Sequence, residues 1–259
     1  MAALDDEKLV FFGEQHETAP VQELELWTLQ RITERHDDVT LAMEHFQRDA
    51  QSVIDGYLAG KISSSAFETQ SDPWKNYAKY WKPLVDHMKS ISRPVLGLNV
   101  PAEALDMIYA AYPKKPLEVF NGWDGSFKYA SSIAPRPLPA WDKTYQSYFE
   151  GSFDYAAHGK QMGMSPAEAL IYFTDLALIR DETMAYFTSK ALEDGGRVFV
   201  VAGDWHVQTG LATPDRATRY RGDGAVYQLV TTTPVAKLGE LKDKTISGRK
   251  LARFILVYQ

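Results

Sequence analysis

The sequence contains no cysteine. Disulfide bonds, thiolate metal ligands and cysteine nucleophiles are therefore excluded, and so is a lipid anchor on a lipobox cysteine of this chain. Long hydrophobic runs are missing as well, and we expect no transmembrane segment. The first residues, MAALDDEK, are too few and too acidic for a signal peptide. These absences leave the compartment of the protein unspecified.

Excess basic charge is a further absence. The chain has 28 Lys and Arg residues against 34 Asp and Glu residues, which gives a net charge of -6. Domains that bind nucleic acids usually carry a basic patch, so we expect no nucleic-acid partner. Hydrophobic residues make up 45% of the chain and charged residues 24%, as in ordinary globular proteins. We expect one domain over residues 1–259, with a sizeable core.

Short apolar runs alternate with helix-like segments along most of the chain. The runs KLVFF, VTLAM, RPVLGLNV and VFVVA predict strands, separated by segments with apolar residues at helical spacing. This alternation is typical of an α/β fold with a mainly parallel sheet flanked by helices. Two further predicted strands, AVYQLV and ARFILVY, have no clear helix between them, which indicates a hairpin or an antiparallel edge.

The segment from about residue 113 to residue 163 has a different character. It is rich in Pro, Gly, Ser and aromatic residues without a clear period, so we expect an irregular insertion or a helical subdomain. A long helix is predicted to follow. Ser165 is its candidate N-cap, Glu168 completes a capping box, and a glycine pair beginning at Gly195 is expected to end it.

Two stretches far apart in the sequence have the same form. LVFFGEQHE and VFVVAGDWHV each consist of an apolar run, a glycine, an acid, any residue and a histidine. In open α/β sheets, ligands bind beyond the carboxyl ends of the strands, and a glycine there lets the backbone approach a ligand closely. We therefore expect Glu14, His16, Asp204 and His206 at one edge of the sheet.

The predicted strand VTLAM also ends in polar residues. Glu44 follows it, Arg48 comes four residues later, and strand alternation places His45 on the opposite side from Glu44. Imidazoles and carboxylates at one edge suit a divalent metal or general acid–base chemistry, and they equally suit a buried hydrogen-bond network. We call Glu14, His16, Glu44 and His206 the strand-end cluster.

Several of these segments, taken in order, resemble a known family. From about Leu9 to about Arg219 the chain is similar to the ChaN-like haem-binding proteins, and the similarity is carried by VFFGEQHE, LAMEHFQRDAQSVIDGYLAG, RPVLGLNVP, DETMA and VFVVAGDWHVQTG. That superfamily also contains the Tiki-type metalloproteases and the erythromycin esterases. The resemblance implies an α/β core with polar strand ends, and a homodimer that binds haem between its subunits.

The resemblance also implies which residues hold haem. In ChaN-like proteins a tyrosine binds the haem iron, with a histidine close by, in the variable segment before the long helix. Here that segment reads FDYAAHGKQMGM, which assigns these roles to Tyr155 and His158 on a flexible loop. A tyrosinate is a sensible ligand because a hard anionic oxygen favours ferric iron.

Two functions from different classes follow. The first is haem binding in iron acquisition or haem handling, by a dimer that uses Tyr155 and His158. The second is hydrolysis of an ester or peptide, in which the strand-end cluster binds a divalent metal or supplies general bases. In that case Arg48 would polarise a carbonyl or hold a carboxylate. The sequence names neither the substrate nor the metal.

Overall fold

The computed structural model describes residues 4, 7–123, 128, 130–193 and 195–259. Its α-helices are α1 (Ala19–Thr33), α2 (Gln51–Leu58), α3 (Ser64–Gln70), α4 (Tyr77–Tyr80), α5 (Lys82–Ser90), α6 (Ala102–Ala110), α7 (Pro116–Gly122), α8 (Lys143–Ser152), α9 (Tyr155–Gln161), α10 (Pro166–Glu193), α11 (Asp204–Val207), α12 (Thr213–Arg221) and α13 (Leu238–Leu241). Short 3₁₀ segments cover Arg48–Ala50, Ala130–Ser132, Gln208–Gly210 and Val235–Lys237.

The strands of the described residues form two sheets. They are β1 (Leu9–Glu14), β2 (Val39–Gln47), β3 (Val95–Asn99), β4 (Arg197–Gly203), β5 (Tyr227–Pro234), β6 (Thr245–Ile246), β7 (Arg249–Lys250) and β8 (Phe254–Tyr258). The main sheet has the order β3-β2-β4-β1-β5-β8, and its neighbouring strands are all parallel. β6 and β7 pair antiparallel in a small separate sheet. The predicted α/β fold with a mainly parallel sheet is confirmed.

Helices cover both faces of the main sheet, so its inner strands are buried on both sides, whereas the edge strand β8 is partly exposed. Val10 and Phe12 of β1 lie in a core with residues of α1, α3 and α5, whereas Leu9 and Phe11 lie in a second core with residues of α10 and α12. Successive strand side chains point to opposite faces. Burial on both faces explains why the strand sequences are near-continuous apolar runs.

The last strand of the main sheet corrects a prediction. β8 pairs parallel with β5, with Val230 opposite Phe254, and forms neither a hairpin nor an antiparallel edge with it. Parallel neighbours need a crossover of roughly a dozen residues or more. Residues 235–253 are long enough, because they contain a 3₁₀ turn, α13 and the β6–β7 pair. The sequence pattern was misleading because this crossover lacks a helix of clear periodicity.

In the described part of residues 113–163 there are three α-helices, α7, α8 and α9. These helices pack on α10 in two apolar clusters. One cluster joins Phe120 of α7 to Tyr172 and Leu176 of α10, and the other joins Tyr148 and Phe149 of α8 to neighbouring residues of α10. The insertion therefore has a core of its own against the N-terminal half of the long helix.

The long helix α10 begins with the predicted capping box. The Ser165 N–H donates to Glu168 Oε2 at 2.8 Å, and the Glu168 N–H donates back to Ser165 Oγ at 3.3 Å. Such reciprocal bonds satisfy backbone N–H groups that the first helical turn leaves without partners. Among the described residues, no helix combines the length and the apolar character needed to cross a membrane.

Candidate functional site at the strand ends

The two echoing motifs lie side by side, because β1 and β4 are neighbours in the sheet. Their register pairs Glu14 with Gly203 and Gly13 with Ala202, so the two strands end at the same level and the two motifs are offset by one residue. β4 also separates β1 from β2. The residues that follow β2 therefore reach those that follow β1 only across the end of β4.

The glycine of each motif leaves space for a side chain of the other motif. A Cβ on Gly13 would lie 2.5 Å from Asp204 Oδ1, and a Cβ on Gly203 would lie 2.9 Å from His16 Nε2 and 3.5 Å from Glu44 Oε2. A real Cβ cannot approach a heavy atom as closely as the first two of these distances. Each glycine thus admits a side chain of the opposite motif, and Gly203 leaves space where His16 and Glu44 meet.

Glu14 is the centre of the first part of the site. It is 1% exposed, and its Oε1 accepts hydrogen bonds from His16 Nδ1 at 2.5 Å and from His45 Nε2 at 2.6 Å. The indole N–H of Trp81 lies 3.0 Å from Oε2, and Gln22 Nε2 donates to the same oxygen at 2.8 Å. One buried carboxylate therefore holds two imidazoles, and we call Glu14, His16 and His45 the Glu14 site.

The carboxylate and the imidazoles of the Glu14 site stabilise each other's charged forms. Burial alone would raise the pKa of Glu14, but attraction to His45 and hydrogen bonds from both histidines hold that pKa well below its usual value. Burial opposes protonation of His16, yet its hydrogen bond to Glu14 and its attraction to Glu44 raise its pKa. Burial and the charge of Glu14 raise the pKa of Glu25 well above its usual value.

Aromatic rings enclose the Glu14 site on one side. The His45 ring stacks on Trp81 with centroids 4.2 Å apart, and Trp74 meets His16 edge-on at 4.9 Å and His45 at 5.0 Å. His45 is fully buried, while the side chain of His16 is 34% exposed. His16 is therefore the member of the Glu14 site that a ligand can reach from solvent.

His206 is the centre of the second part of the site. Its Nδ1 lies 2.7 Å from Asp181 Oδ1, and its Nε2 lies 3.3 Å from Glu44 Oε1 without the alignment of a hydrogen bond. Glu44 Oε2 accepts the backbone N–H of Gly203 at 2.8 Å. Trp205 covers the imidazole at 3.6 Å between ring centroids. We call Glu44, His206 and Asp181 the His206 site.

Two carboxylates flank the His206 ring. Burial opposes its protonation, but attraction to Glu44 and Asp181 raises the pKa of His206 to about 9. Burial would raise the pKa of Glu44, yet its attraction to His206 and the N–H of Gly203 lower it far below the usual range. At neutral pH His206 is therefore an imidazolium between carboxylates, which can donate a proton or a hydrogen bond.

The structure brings all four residues of the strand-end cluster together, divided between two faces of the sheet. Glu14 and His45 lie on the face of α1 and α5, and Glu44 and His206 lie on the face of α10. His16 reaches across, because its Nδ1 contacts Glu14 while its Nε2 lies over Gly203. His45 does face the opposite side from Glu44, as predicted, and that orientation is what places it beside Glu14.

Arg48 does not join the strand-end cluster through its described contacts. Its guanidinium donates to Gly97 O at 2.7 Å and to Gln51 Oε1 at 2.9 Å, and it lies 4.0 Å from the centre of the Phe187 ring. These bonds attach the turn after β2 to β3. Arg48 lies beyond the strand, on a 3₁₀ turn whose contacts direct it to the next strand, and its role in hydrolysis stays a prediction.

Asp204, the acid of the second motif, connects strands. Its Oδ2 accepts from Gln15 Nε2 at 2.8 Å, and its Oδ1 accepts from Thr231 Oγ1 at 2.8 Å. It thereby joins the ends of β1, β4 and β5. The corresponding acid of the first motif, Glu14, contacts histidines instead, so the two acids have different surroundings despite their matched positions.

Two residues that complete the site, His45 and Asp181, are not among those predicted from the sequence. Strand alternation places His45 on the face opposite Glu44, and that face holds Glu14. Asp181 comes from the middle of α10, far from any strand end in sequence. A signal for it exists, since Arg180, Asp181, Glu182 and Thr183 stand between the apolar segments LALI and MAYF, and a buried acid in such a helix needs a partner.

The Glu14 site has the donors of a metal centre. One candidate ligand atom from each of its three residues lies within 4.8 Å of the others. Two imidazoles and a carboxylate suit zinc and similar divalent ions. Two imidazole nitrogens now donate protons to Glu14, so an ion bound through them would displace those protons. His45 Nδ1 is buried without a hydrogen-bond partner and supplies a further donor.

Tyr155 and His158 lie apart from the strand-end cluster, on α9. This segment was predicted to be a loop, and that prediction is wrong. Asp154 caps the helix by accepting the N–H of Ala157 at 3.1 Å, and two alanines favour the helical turn. Residues three apart lie on the same helix face, so the phenol and the imidazole are neighbours. Tyr155 is half-buried and His158 is exposed.

Comparison with protein families gives a match over most of the chain. Residues 1–217 match a family model described as "Haem-binding uptake, Tiki superfamily, ChaN". No curated protein matches the chain.

Solved structures share the fold at low sequence identity. The structure titled "Cofacial heme binding to ChaN of Campylobacter jejuni" has a TM-score of 0.65 at 12% identity, over 100% of this chain and 90% of that one. The type III effector HopBA1 gives 0.53 at 11% identity over 100% and 90% of the two chains. A mutant erythromycin esterase EreC in its open conformation gives 0.51 at 13% identity over 90% and 71%. At these identities the likeness establishes the fold alone.

Proposed function

Because the chain belongs to the haem-binding uptake family of ChaN in the Tiki superfamily, we propose that it binds haem through Tyr155 and His158. The observation that carries this proposal is the pairing of these two side chains on α9, one helical turn apart, with His158 exposed. The structural likeness to ChaN, whose structure is described as binding haem cofacially, supports it.

The donor set on α9 fits ferric haem. Haem would supply the ferric iron and a flat apolar porphyrin, and a phenolate oxygen is a suitable axial ligand for that iron. His158 Nδ1 lies 2.8 Å from the carbonyl oxygen of Asp154, which therefore accepts its proton and leaves Nε2 to face outward. Nε2 of His158 could then be a second ligand of haem iron, whereas a hydrogen bond donated to the phenolate would require a protonated Nε2.

The surroundings of α9 offer apolar surface to a porphyrin. The Phe153 ring stacks on His158 with centroids 4.7 Å apart, and Phe173 meets His158 edge-on at 5.9 Å. Met162, directly after α9, is 42% exposed. Two half-buried phenylalanine rings and an exposed methionine thus surround an exposed imidazole, and such a surface can be covered by a flat ligand or a second subunit. We extend the proposal to a homodimer with haem between its subunits, acting in iron acquisition or haem handling.

A haemin titration of the purified chain, followed at the Soret band, tests the haem proposal. We expect saturable binding, a weakening of about tenfold or more in Tyr155→Phe, and a smaller loss in His158→Ala. Tyr109→Phe is the matched control, since Tyr109 is 44% exposed and lies on α6. Size exclusion should show elution as a dimer with haem. Equal affinities of Tyr155→Phe and Tyr109→Phe would contradict the ligand assignment.

The strand-end cluster favours a second candidate function, which is hydrolysis of an ester or a peptide. The observation that carries it is the concentration of two histidines on the single carboxylate of Glu14, beside an imidazolium at His206. One of these histidines, His16, has a side chain that is 34% exposed, which a purely structural buried network does not require. Perturbed titratable groups at the carboxyl ends of parallel strands are typical of active sites.

The residues suggest a division of roles in such a reaction. Glu14 accepts the Nδ1 proton of His16, which leaves the Nε2 lone pair of His16 directed over Gly203 to take a proton from water or a substrate. His206, charged between Glu44 and Asp181, can donate to a developing oxyanion or a leaving group. A divalent ion at the Glu14 site would polarise a carbonyl or activate water.

Elemental analysis tests the metal-dependent form of this second function. Protein purified without chelator should contain near-stoichiometric divalent metal, which His16→Ala and His45→Ala lose. His87→Ala is the matched control, since His87 lies on α5 and its ring contacts Thr33. Metal-free wild-type protein would contradict this form. A screen with ester and peptide substrates then tests the metal-free form, and hydrolysis that survives in His16→Ala would contradict the role of His16.

A further inference from the structure

Asp181 is a fully buried acid whose carboxylate is directed at His206 from the middle of α10. Its Oδ1 lies 2.7 Å from His206 Nδ1 and accepts the hydroxyl of Thr213 at 2.7 Å. Its Oδ2 accepts the hydroxyl of Tyr145 at 2.5 Å. Three donors from three different elements therefore hold one carboxylate in place.

The Tyr145 and Thr213 bonds define the role of Asp181 more closely than burial does. Both hydroxyls donate, so Asp181 is held as an acceptor and cannot rotate without losing a bond. The Arg216 guanidinium lies over the Tyr145 ring at 4.1 Å, and Tyr145 is 3% exposed. The carboxylate is thus fixed by a rigid, buried support, as a group that orients a histidine must be.

The opposite side of His206 is arranged differently. Glu44 Oε1 lies 3.3 Å from Nε2, but the geometry is not that of a hydrogen bond, and Nε2 has no partner among the described residues. Glu44 is itself held by the Gly203 N–H through its other oxygen. The ring therefore has one nitrogen hydrogen-bonded to Asp181, and the other lies within ion-pair distance of Glu44 without hydrogen-bond alignment.

We propose that Asp181 is a positioning residue, which keeps the proton of His206 on Nδ1 and turns Nε2 toward Glu44 as the functional nitrogen. This inference rests on the second proposed function, hydrolysis at the strand ends, and deepens it. A carboxylate behind a histidine fixes the tautomer and ring orientation and stabilises the imidazolium that forms during proton transfer. Nε2 is then the atom that exchanges a proton or hydrogen bond with water or substrate.

The two carboxylates beside His206 favour opposite tautomers of the ring, so the observed tautomer tests the inference. On a neutral ring a dominant Asp181 requires Nδ1–H, whereas a dominant Glu44 requires Nε2–H. Imidazoles in water also favour Nε2–H. The observed geometry predicts that Asp181 prevails, since only its contact is aligned as a hydrogen bond.

Nitrogen-15 NMR of the full chain, labelled at its six histidines, tests this inference. The His206 signals are assigned by their loss in His206→Gln, and the tautomer is read from ring correlations at alkaline pH, where the ring is neutral. We expect Nδ1–H, with a proton resonance downfield of the other ring protons and slow exchange with solvent. An Nε2–H tautomer in the wild type would overturn the inference without any further variant.

Two variants separate positioning from general structural support. Asp181→Leu removes the acceptor at similar volume and should shift His206 to the Nε2–H tautomer, while Thr213→Val keeps the carboxylate and should retain Nδ1–H. If Asp181→Leu does not fold, the wild-type and Thr213→Val spectra still decide the question. Retention of Nδ1–H in folded Asp181→Leu would overturn the inference. A failed hydrolase screen together with Nδ1–H would contradict the second function and leave the positioning by Asp181 supported.

Discussion

At the scale of single residues, the two Gly-acid-x-His motifs fit into each other. Gly13 leaves room for Asp204, and Gly203 leaves room for His16, because a Cβ on either glycine would collide with the side chain opposite. The two motifs are therefore neighbours in the structure as well as similar in sequence. The parallel neighbours β1 and β4 end at the same level, and each requires an open position where the other turns.

Substitution of Gly203 tests this fit. In Gly203→Ala the added Cβ would lie 2.9 Å from His16 Nε2, so His16 must move. Overpacking of this kind typically costs about 1–3 kcal/mol. Urea denaturation measures that loss, and Gly239→Ala on α13 is the control, since its Cβ meets open space and alanine favours the helix. Equal stability of Gly203→Ala and the wild type would contradict the close approach.

The raised pKa of His206 predicts a pH dependence of stability. Its pKa rises from 6.5 to about 9 in the folded state because of Glu44 and Asp181, against the effect of burial. The charged ring therefore stabilises the fold fully below pH 6.5, and this contribution is lost as the pH rises through 9. At about 1.4 kcal/mol per pKa unit, the loss is on the order of 3 kcal/mol.

The free energy of unfolding at pH 6 and at pH 10 checks this dependence. His16 has a raised pKa as well and contributes a loss of the same sign, so the difference between wild type and His206→Gln isolates His206. The wild type should lose more stability than the variant over this interval. The same slope in both proteins would contradict the assigned environment of His206.

At the scale of elements, the strands and their common edge follow from sequence because parallel strands bury both faces and end together. This common edge places Glu14, His16, Glu44 and His206 near one another. The contacts of Arg48 cannot be predicted in this way, because strand periodicity does not encode the direction of a 3₁₀ turn. The position of Asp181 cannot be predicted from the strands either, because only the packing of α10 on the sheet brings that residue to His206.

The helix α9 shows another limit of prediction at this scale. Its seven residues, YAAHGKQ, are too few for a clear helical period, and the flanking Gly and aromatic residues suggested a loop. The N-cap Asp154 and the contacts with α10 supply what the short sequence does not. A helix of this length depends on its cap and its packing, because short helices are marginal on their own.

The cap of α9 therefore offers an element-scale prediction. Asp154→Ala removes the bond to the Ala157 N–H and should cost about 0.5–2 kcal/mol, with fraying of the turn that carries Tyr155 and His158. Haem affinity should fall with it. Ser63→Ala removes a comparable cap from α3 and should lose stability without loss of haem affinity. A haemin titration compares the two, and equal haem affinities would contradict the dependence of the ligand pair on α9.

At the scale of the whole molecule, the chain carries two chemically different regions. The α9 surface presents a phenol and an exposed imidazole, and the strand ends present a buried network of carboxylates and imidazoles. An aromatic series connects them, since the Phe153 ring lies 4.7 Å from His158 and 5.9 Å from Trp205, which covers His206. These ring contacts do not make the two regions one site, because the candidate haem ligands on α9 are not members of the strand-end cluster.

Independent behaviour of the two regions is a prediction at this scale. His206→Ala should leave haem affinity and the haem spectrum unchanged, because His206 is buried beneath Trp205 and cannot reach a haem on α9. Tyr155→Phe should leave any bound metal unchanged. Haemin titration and elemental analysis of both variants measure the four values. Loss of haem affinity in His206→Ala comparable to that in Tyr155→Phe would contradict the separation.

The most direct test of haem binding on α9 is the resonance Raman spectrum of the ferric haem complex, excited in its phenolate-to-iron charge-transfer band. We expect iron–phenolate vibrations in the wild type and in Tyr109→Phe, and their disappearance in Tyr155→Phe. Iron–phenolate vibrations that persist in Tyr155→Phe, or a wild-type complex without them, would contradict the assignment of Tyr155 as the haem ligand.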